Sequence, residues 1–217
     1  KHSGSCLTSA ISLYSYATLI KRDDSLITIN SLNPKIKLKY NSIDQVNYDG
    51  KLDLVKGVIK ILKPEFGFDL EIGSDYPLSS GLGGSSSLIS SIIGVFNEYN
   101  NRKIDKYTMS EISIQIERLE LGIKGGWQDQ YSTIFGGFNL IEFNSRENLV
   151  TPLRLETDKI LELQERLVLC YTKSNHLGEK IQKLNTKKNL TKSDIKNINE
   201  IKKITSEMKK YLLLGDF

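Results

Sequence analysis

The sequence predicts an α+β fold on three observations. Short strands of alternating hydrophobicity are interleaved with apolar segments at helical spacing, glycine-rich turns punctuate them, and composition shifts near residue 155. Residues 17–30 alternate around the polar turn Arg22-Asp23-Asp24-Ser25 and read as a β-hairpin. Ile36, Leu38 and Tyr40 alternate with Lys35, Lys37 and Lys39 as a half-buried strand. Over residues 52–62, Leu54, Val58, Ile61 and Leu62 recur at helical spacing. Lys63-Pro64 ends that helix, because proline disfavours helical backbone in the residue before it. Phe68, Leu70 and Ile72 alternate with Asp69 and Glu71 as a strand ending at Gly73, and a Gly/Ser-rich loop over residues 79–87 then enters an apolar helix reaching about Tyr99.

Thr108 and Glu111 have capping-box spacing for the next helix, Ile112, Ile116 and Leu119 share one of its faces, and Gly122 suits its C-terminal end. A glycine-rich loop over residues 123–130 leads to a short helix, and Gly136-Gly137 introduces a strand over residues 138–143. Residues 144–157 read as a linker. Beyond them, residues 167–171 read as a buried strand preceding two helices, the second with Ile195, Ile198, Ile201, Ile204 and Met208 on one face. The expected division is therefore residues 1–155 and 156–217.

The 217 residues are enough to bury a substantial core, and 39% hydrophobic with 26% charged residues is too apolar for a disordered chain. A net charge of +4 is too small to imply a nucleic-acid partner. The charge is uneven: residues 171–217 carry net +6 and residues 1–170 net −2. The tail's lysines lack arginine or interleaved aromatics and read as a solvated helix face. Cys6 and Cys170 have neither CxxC nor histidine spacing, which argues against a disulfide framework or structural zinc and for a reducing, cytoplasmic setting. Apolar runs are too short for a membrane span, and no signal-peptide pattern or internal repeat is visible.

Two strings can carry chemistry. The first runs from Pro77 through Ser79, Ser80, Gly81, Leu82, Gly83, Gly84, Ser85 and Ser86 to Ser87, between a strand and a helix. Glycines bring backbone N–H groups close to an anion, a helix N-terminus adds its dipole, and serine hydroxyls reach phosphate oxygens or a metal. No lysine follows as in a Walker loop, and Ser86 occupies the third glycine position of a dinucleotide fingerprint. The simpler alternative is a flexible turn with a serine cap. The second string is Gly122-Ile123-Lys124-Gly125-Gly126-Trp127-Gln128-Asp129-Gln130. A carboxylate on such a loop can accept a hydroxyl proton while a phosphoryl group moves, or Asp129 can simply cap the next helix. Glu117, on the preceding helix, is within reach of a divalent metal if the two loops converge, or is simply a solvated helix-surface carboxylate.

Together, GLGGSSS and GIKGGWQDQYSTIFGGFNLIEF resemble the GHMP kinases. The second, narrower string is most similar to the branch that phosphorylates D-glycero-D-manno-heptose 7-phosphate at its anomeric hydroxyl. The resemblance runs from about Ser3 through Phe143 and more weakly to Phe217. It implies an N-terminal domain like ribosomal protein S5 domain 2 over residues 1–155, then the beginning of a ferredoxin-like domain over residues 156–217. It implies ATP bound by the loop from Pro77 to Ser87, Mg²⁺ held by Ser85 and Glu117, Asp129 as catalytic base, and Lys124 and Gln128 at the sugar phosphate. Gly84 stands where many members have serine, Trp127 where the nearest relatives often have arginine, and His176 reads as a surface or capping residue. The family's first glycine-rich motif, with its basic residue, and its third, C-terminal one are not in these 217 residues, so flanking segments are expected at both ends. Other readings are a kinase of a fucose- or galactose-type sugar, or a non-catalytic relative that binds ATP and sugar.

Overall fold

A computed structural model describes residues 4–77, 79–99, 103–171 and 191–217. In chain order the elements are β1 (Gly4–Ser9), β2 (Ser15–Lys21), β3 (Ile27–Ser31), β4 (Ile36–Tyr40), α1 (Asp53–Leu62), β5 (Phe68–Ser74), α2 (Gly84–Tyr99), α3 (Lys106–Ile114), α4 (Gln128–Phe135), β6 (Phe138–Phe143), β7 (Asn148–Pro152), α5 (Thr157–Arg166) and α6 (Lys192–Leu214). A single π-helical turn, Gln115–Glu120, continues α3. The chain forms two compact units, Ser12–Ile134 and Lys1–Ile11 with Phe135–Phe217.

In the first unit the sheet order is β2-β5-β3-β4. β5 is antiparallel to β2, with Leu19 opposite Leu70, and parallel to β3, with Ile29 opposite Leu70. The expected hairpin over residues 17–30 is therefore not formed: β5 lies between its two strands. Alternation identifies the buried face of a strand but not its neighbour, and Phe68, Leu70 and Ile72 give β5 the buried side chains of a central strand. The turn after β2 is instead fastened to β5 by Arg22, which pairs with Asp24 at 2.7 Å and Asp69 at 2.9 Å. The strand at residues 36–40 and the boundaries of α1 and β5 follow the sequence pattern.

The core joins Ile27, Ile29, Phe68, Leu70 and Ile72 of the sheet to Val55, Val58 and Ile59 of α1, Ile89, Ile92, Ile93 and Phe96 of α2, and Ile116. α1 is buried over most of its circumference, including Lys56, whose ammonium reaches Asp49 at 2.5 Å and Asp53 at 3.5 Å. Asp105, not Thr108, caps α3: its carboxylate accepts the N–H groups of Tyr107 and Thr108. Thr108 sits inside the first turn and donates its own hydroxyl to Asp105. The expected face of Ile112, Ile116 and Leu119 breaks at the π turn. Leu121 N–H bonds to Ile116 O, five residues back, so the helix is underwound there. Ile116 and Glu117 point inward and Leu119 is 77% exposed.

The second unit has an antiparallel sheet in the order β1-β6-β7, with Cys6 opposite Ile141 and Ile141 opposite Val150. The expected linker over residues 144–157 thus contains β7, and α5 starts at its last residue. Residues 167–171 are not a buried strand: Leu167, Val168 and Leu169 are exposed, and no strand pairs with them among the described residues. An apolar run becomes a strand only where a neighbour takes its backbone hydrogen bonds. The first of the two helices expected beyond it, and His176, lie outside the described residues. α6 is closed by a Thr191/Asp194 capping box and a left-handed Gly215. Its Ile195, Ile201, Ile204 and Met208 are exposed and Leu212 is buried. No disulfide links the cysteines, and among the described residues no helix is long and apolar enough to cross a membrane.

Candidate active site

β5 ends at Ser74, and the chain turns through Ser79 (φ 59°), Gly81 (φ 79°) and Gly83 (φ 70°) before entering α2. Three left-handed residues within five fold the backbone sharply, which is the glycines' use here. Gly83 O accepts the Ser87 N–H at 3.0 Å, opening the helix. Pro77, Ser79, Gly81 and Ser85 are exposed, Ser80, Leu82, Gly83 and Gly84 are half-buried, and Ser86 is buried. Tyr76 supports this start from below. Its hydroxyl donates to Gly84 O at 3.1 Å and is hydrogen-bonded to Ser15, while its ring lies so close that a Cβ on Gly84 would stand 2.6 Å from Cε2.

Of the three consecutive serines, Ser86 is the one turned inward, in phase with Ile89, Ile93 and Phe96 on the buried face of α2. Its hydroxyl donates to Glu117 Oε2 at 2.9 Å, and the Gln130 side-chain amide donates to the same oxygen. All three side chains are at least 97% buried. The π turn is what brings Glu117 here beside the core residue Ile116. Ser90 accepts or donates a 3.3 Å bond with Thr133, whose hydroxyl donates to Asp129 O at 2.9 Å. Polar contacts therefore tie α2, the π turn and α4 together.

Asp129 is the second residue of α4, past the cap position. A Cβ on Gly83 would lie 3.5 Å from Asp129 Cβ and 3.6 Å from its Cγ, so the phosphate-type loop passes directly against this side chain. Burial pushes the Asp129 carboxyl above its ordinary range, and the nearby Arg118 guanidinium partly offsets it. Arg118 also shapes the preceding loop, donating to Gly126 O at 2.7 Å and Ile123 O at 3.0 Å. Lys124 and Trp127 are exposed on that loop, and Gln128 is half-buried at the start of α4.

The structure thus gathers the loop, Glu117 and Asp129 in one unit. Ser85, expected beside Glu117, is exposed, and the hydroxyl that touches Glu117 belongs to Ser86. Sequence reading counted Ser86 only as part of the loop and missed Gln130. The phase of Ser86 with Ile89 and Ile93 was a usable signal for the first; an eight-residue helix offers none for the second. The potential metal ligands around Glu117, namely its own carboxylate, the Ser86 hydroxyl and Gln130 Oε1, are oxygens, and among the described residues Gln130 Oε1 is buried without a hydrogen-bond partner. This set fits a hard cation such as Mg²⁺. Among the described residues no three His, Cys, Asp or Glu side chains converge to hold a metal, so such an ion would complete its shell with phosphate oxygens and water.

Residues 53–137 match the GHMP kinases N terminal domain. Over the whole chain, 36% of residues are identical to the D-glycero-alpha-D-manno-heptose 7-phosphate kinase of Campylobacter jejuni, and the match covers 66% of that protein. The crystal structure of a D-glycero-D-manno-heptose 1-phosphate kinase from Bacteriodes thetaiotaomicron superposes with a TM-score of 0.83 at 31% identity, covering 99% of this chain and 66% of that one. The Lactococcus lactis galactokinase complexed with galactose gives a TM-score of 0.71 at 23% identity over 98% of this chain and 65% of that one, a likeness of fold. The chain spans just under two thirds of the length of these relatives.

Proposed function

Because the chain belongs to the GHMP kinase family, we propose that it forms the nucleotide-binding and catalytic part of a kinase that transfers the γ-phosphoryl group of ATP to a sugar phosphate. The acceptor is the anomeric hydroxyl of D-glycero-D-manno-heptose 7-phosphate and the product the 1,7-bisphosphate. The observation that carries this reading is the approach of the loop backbone at Gly83 to the half-buried carboxyl of Asp129, which suits a donor phosphate beside a hydroxyl-activating group.

The N–H groups of residues 79–86 and the start of α2 hold the ATP phosphates, with Pro77 bounding the loop. Ser85, exposed at the helix start, and Glu117 contribute the protein's ligands to Mg²⁺, which when bound neutralises phosphate charge. Asp129 accepts a hydrogen bond from the sugar hydroxyl and orients it. As the hydroxyl oxygen bonds to the γ-phosphorus and the bond to ADP breaks, the proton passes to the Asp129 carboxylate. A carboxyl raised by burial suits a base better than an ordinary one. Lys124 supplies positive charge for the sugar's own phosphate, and Gln128 hydrogen-bonds the sugar. Residues 1–155 serve as the ATP-binding domain and residues 156–217 begin the second. The setting is cytoplasmic, without nucleic-acid or membrane partners.

The test is ADP release by the intact protein against a panel of sugars and sugar phosphates. The expected result is turnover with the heptose 7-phosphate. Turnover only with galactose or fucose would reassign the substrate, and ATP binding without sugar-dependent ADP release would make the protein a non-catalytic binder.

A further inference from the structure

Gln130 stands out among the buried polar groups because half of its amide is used and half is not. A carboxylate only accepts hydrogen bonds, so the contact to Glu117 Oε2 fixes the amide with its NH₂ towards Glu117. That leaves Oε1, in a fully buried group, without a hydrogen-bond partner among the described residues. Natural structures leave such an acceptor bare only rarely; its partner is usually a water or an ion. The second donor to the same Glu117 oxygen, Ser86, completes a clamp in which Oε2 is held twice.

We propose that Gln130 is a positioning residue for a divalent cation at Glu117. Its NH₂ fixes the carboxylate, and its orphan Oε1 accepts from the cation's hydration shell. This rests on the kinase reading above and deepens it by naming the residue that orients the metal-binding carboxylate. Groups that orient metal ligands in this way change metal affinity by roughly 10–100-fold when removed. The clamp spans α2, the π turn and α4, so its geometry is fixed by packed elements.

The test uses Mn²⁺ as probe, titrated into the intact protein with a non-hydrolysable ATP analogue and followed by electron paramagnetic resonance. Gln130→Met keeps the volume and removes both polar ends; Mn²⁺ affinity is expected to fall about tenfold or more. Gln130→Glu keeps the shape but sets a carboxylate oxygen against Glu117 Oε2 in place of the NH₂ donor; Mn²⁺ affinity is expected to fall here too, because the clamp on Glu117 is lost. The Mg²⁺ requirement for turnover should move with these values, and kcat of Gln130→Met should recover at saturating Mg²⁺. If Gln130 only fills space, both variants would lower the melting temperature and leave Mn²⁺ affinity unchanged, which overturns the proposal. A Gln130→Met protein that does not fold leaves the decision to Gln130→Glu, where unchanged or tighter Mn²⁺ binding refutes it. Absence of any Mn²⁺–nucleotide binding by the wild type would instead bring down the kinase reading itself.

Discussion

Replacing Gly84 by alanine tests how the start of the phosphate-type loop helix is built. The added Cβ would stand 2.6 Å from Tyr76 Cε2 and 3.3 Å from its Cζ, where ordinary contact begins near 3.5 Å. The ring cannot simply swing away. Tyr76 is 8% exposed, and its hydroxyl is tethered to Gly84 O and to Ser15. Forcing a methyl group into such a site costs about 1–3 kcal/mol. If the ring moves enough to lose the Gly84 bond, about another 1 kcal/mol is added. Gly84→Ala is therefore expected to destabilise the protein by roughly 2–4 kcal/mol in urea unfolding. The control is the same change in a Tyr76→Leu background, where the space is open and the two effects should fall short of additivity by about 1 kcal/mol or more. A loss below about 0.5 kcal/mol in the wild-type background, or an equal loss in both backgrounds, would refute the argument that Tyr76 dictates glycine here.

Three further outcomes are expected. Gly83→Val sets a branched side chain between the loop and Asp129 at a left-handed backbone position; nucleotide affinity by calorimetry should fall at least about tenfold, and unchanged affinity would remove this loop from the phosphate site. Burial raises the Asp129 carboxyl and Arg118 lowers it, and the proposed base acts only when ionised, so if Asp129 is that base kcat should rise with pH through a midpoint above the ordinary carboxylate value. That midpoint should move higher still in Arg118→Met; a shift downward would contradict the assigned pairing. Removing one partner of the Lys56 pair should be asymmetric in urea unfolding: Asp49→Asn leaves a wholly buried ammonium with only its more distant carboxylate, whereas Lys56→Met leaves carboxylates that water reaches. The first should lower the midpoint more than the second.

What the sequence revealed follows from the range over which each signal acts. α1 and β5 were legible because their apolar period and their Pro and Gly stops are local. The pairing of β2 with β5 was not, since the choice of neighbour is made across nearly fifty residues. β7, with Asn148 and Pro152 at its ends, carries weak strand signals and is fixed by its partner β6. The exposure of Leu119 turned on one extra residue in a helical turn, which shifts every later side chain and leaves no mark in the period. In the site, the loop and Asp129 were legible as glycine-spaced strings. The contact of Glu117 with Ser86 depended on where α2 begins, and the part of Gln130 on how α4 lies against the π turn.

The most direct test of the central claim is sugar-dependent ADP release by Asp129→Asn in the intact protein. Asparagine keeps the size and hydrogen-bonding reach of the side chain but cannot take a proton. The kinase account predicts unchanged ATP affinity with kcat lowered by about 10²–10⁴-fold. Turnover within a few-fold of wild type would contradict it, leaving Asp129 as a structural residue of α4.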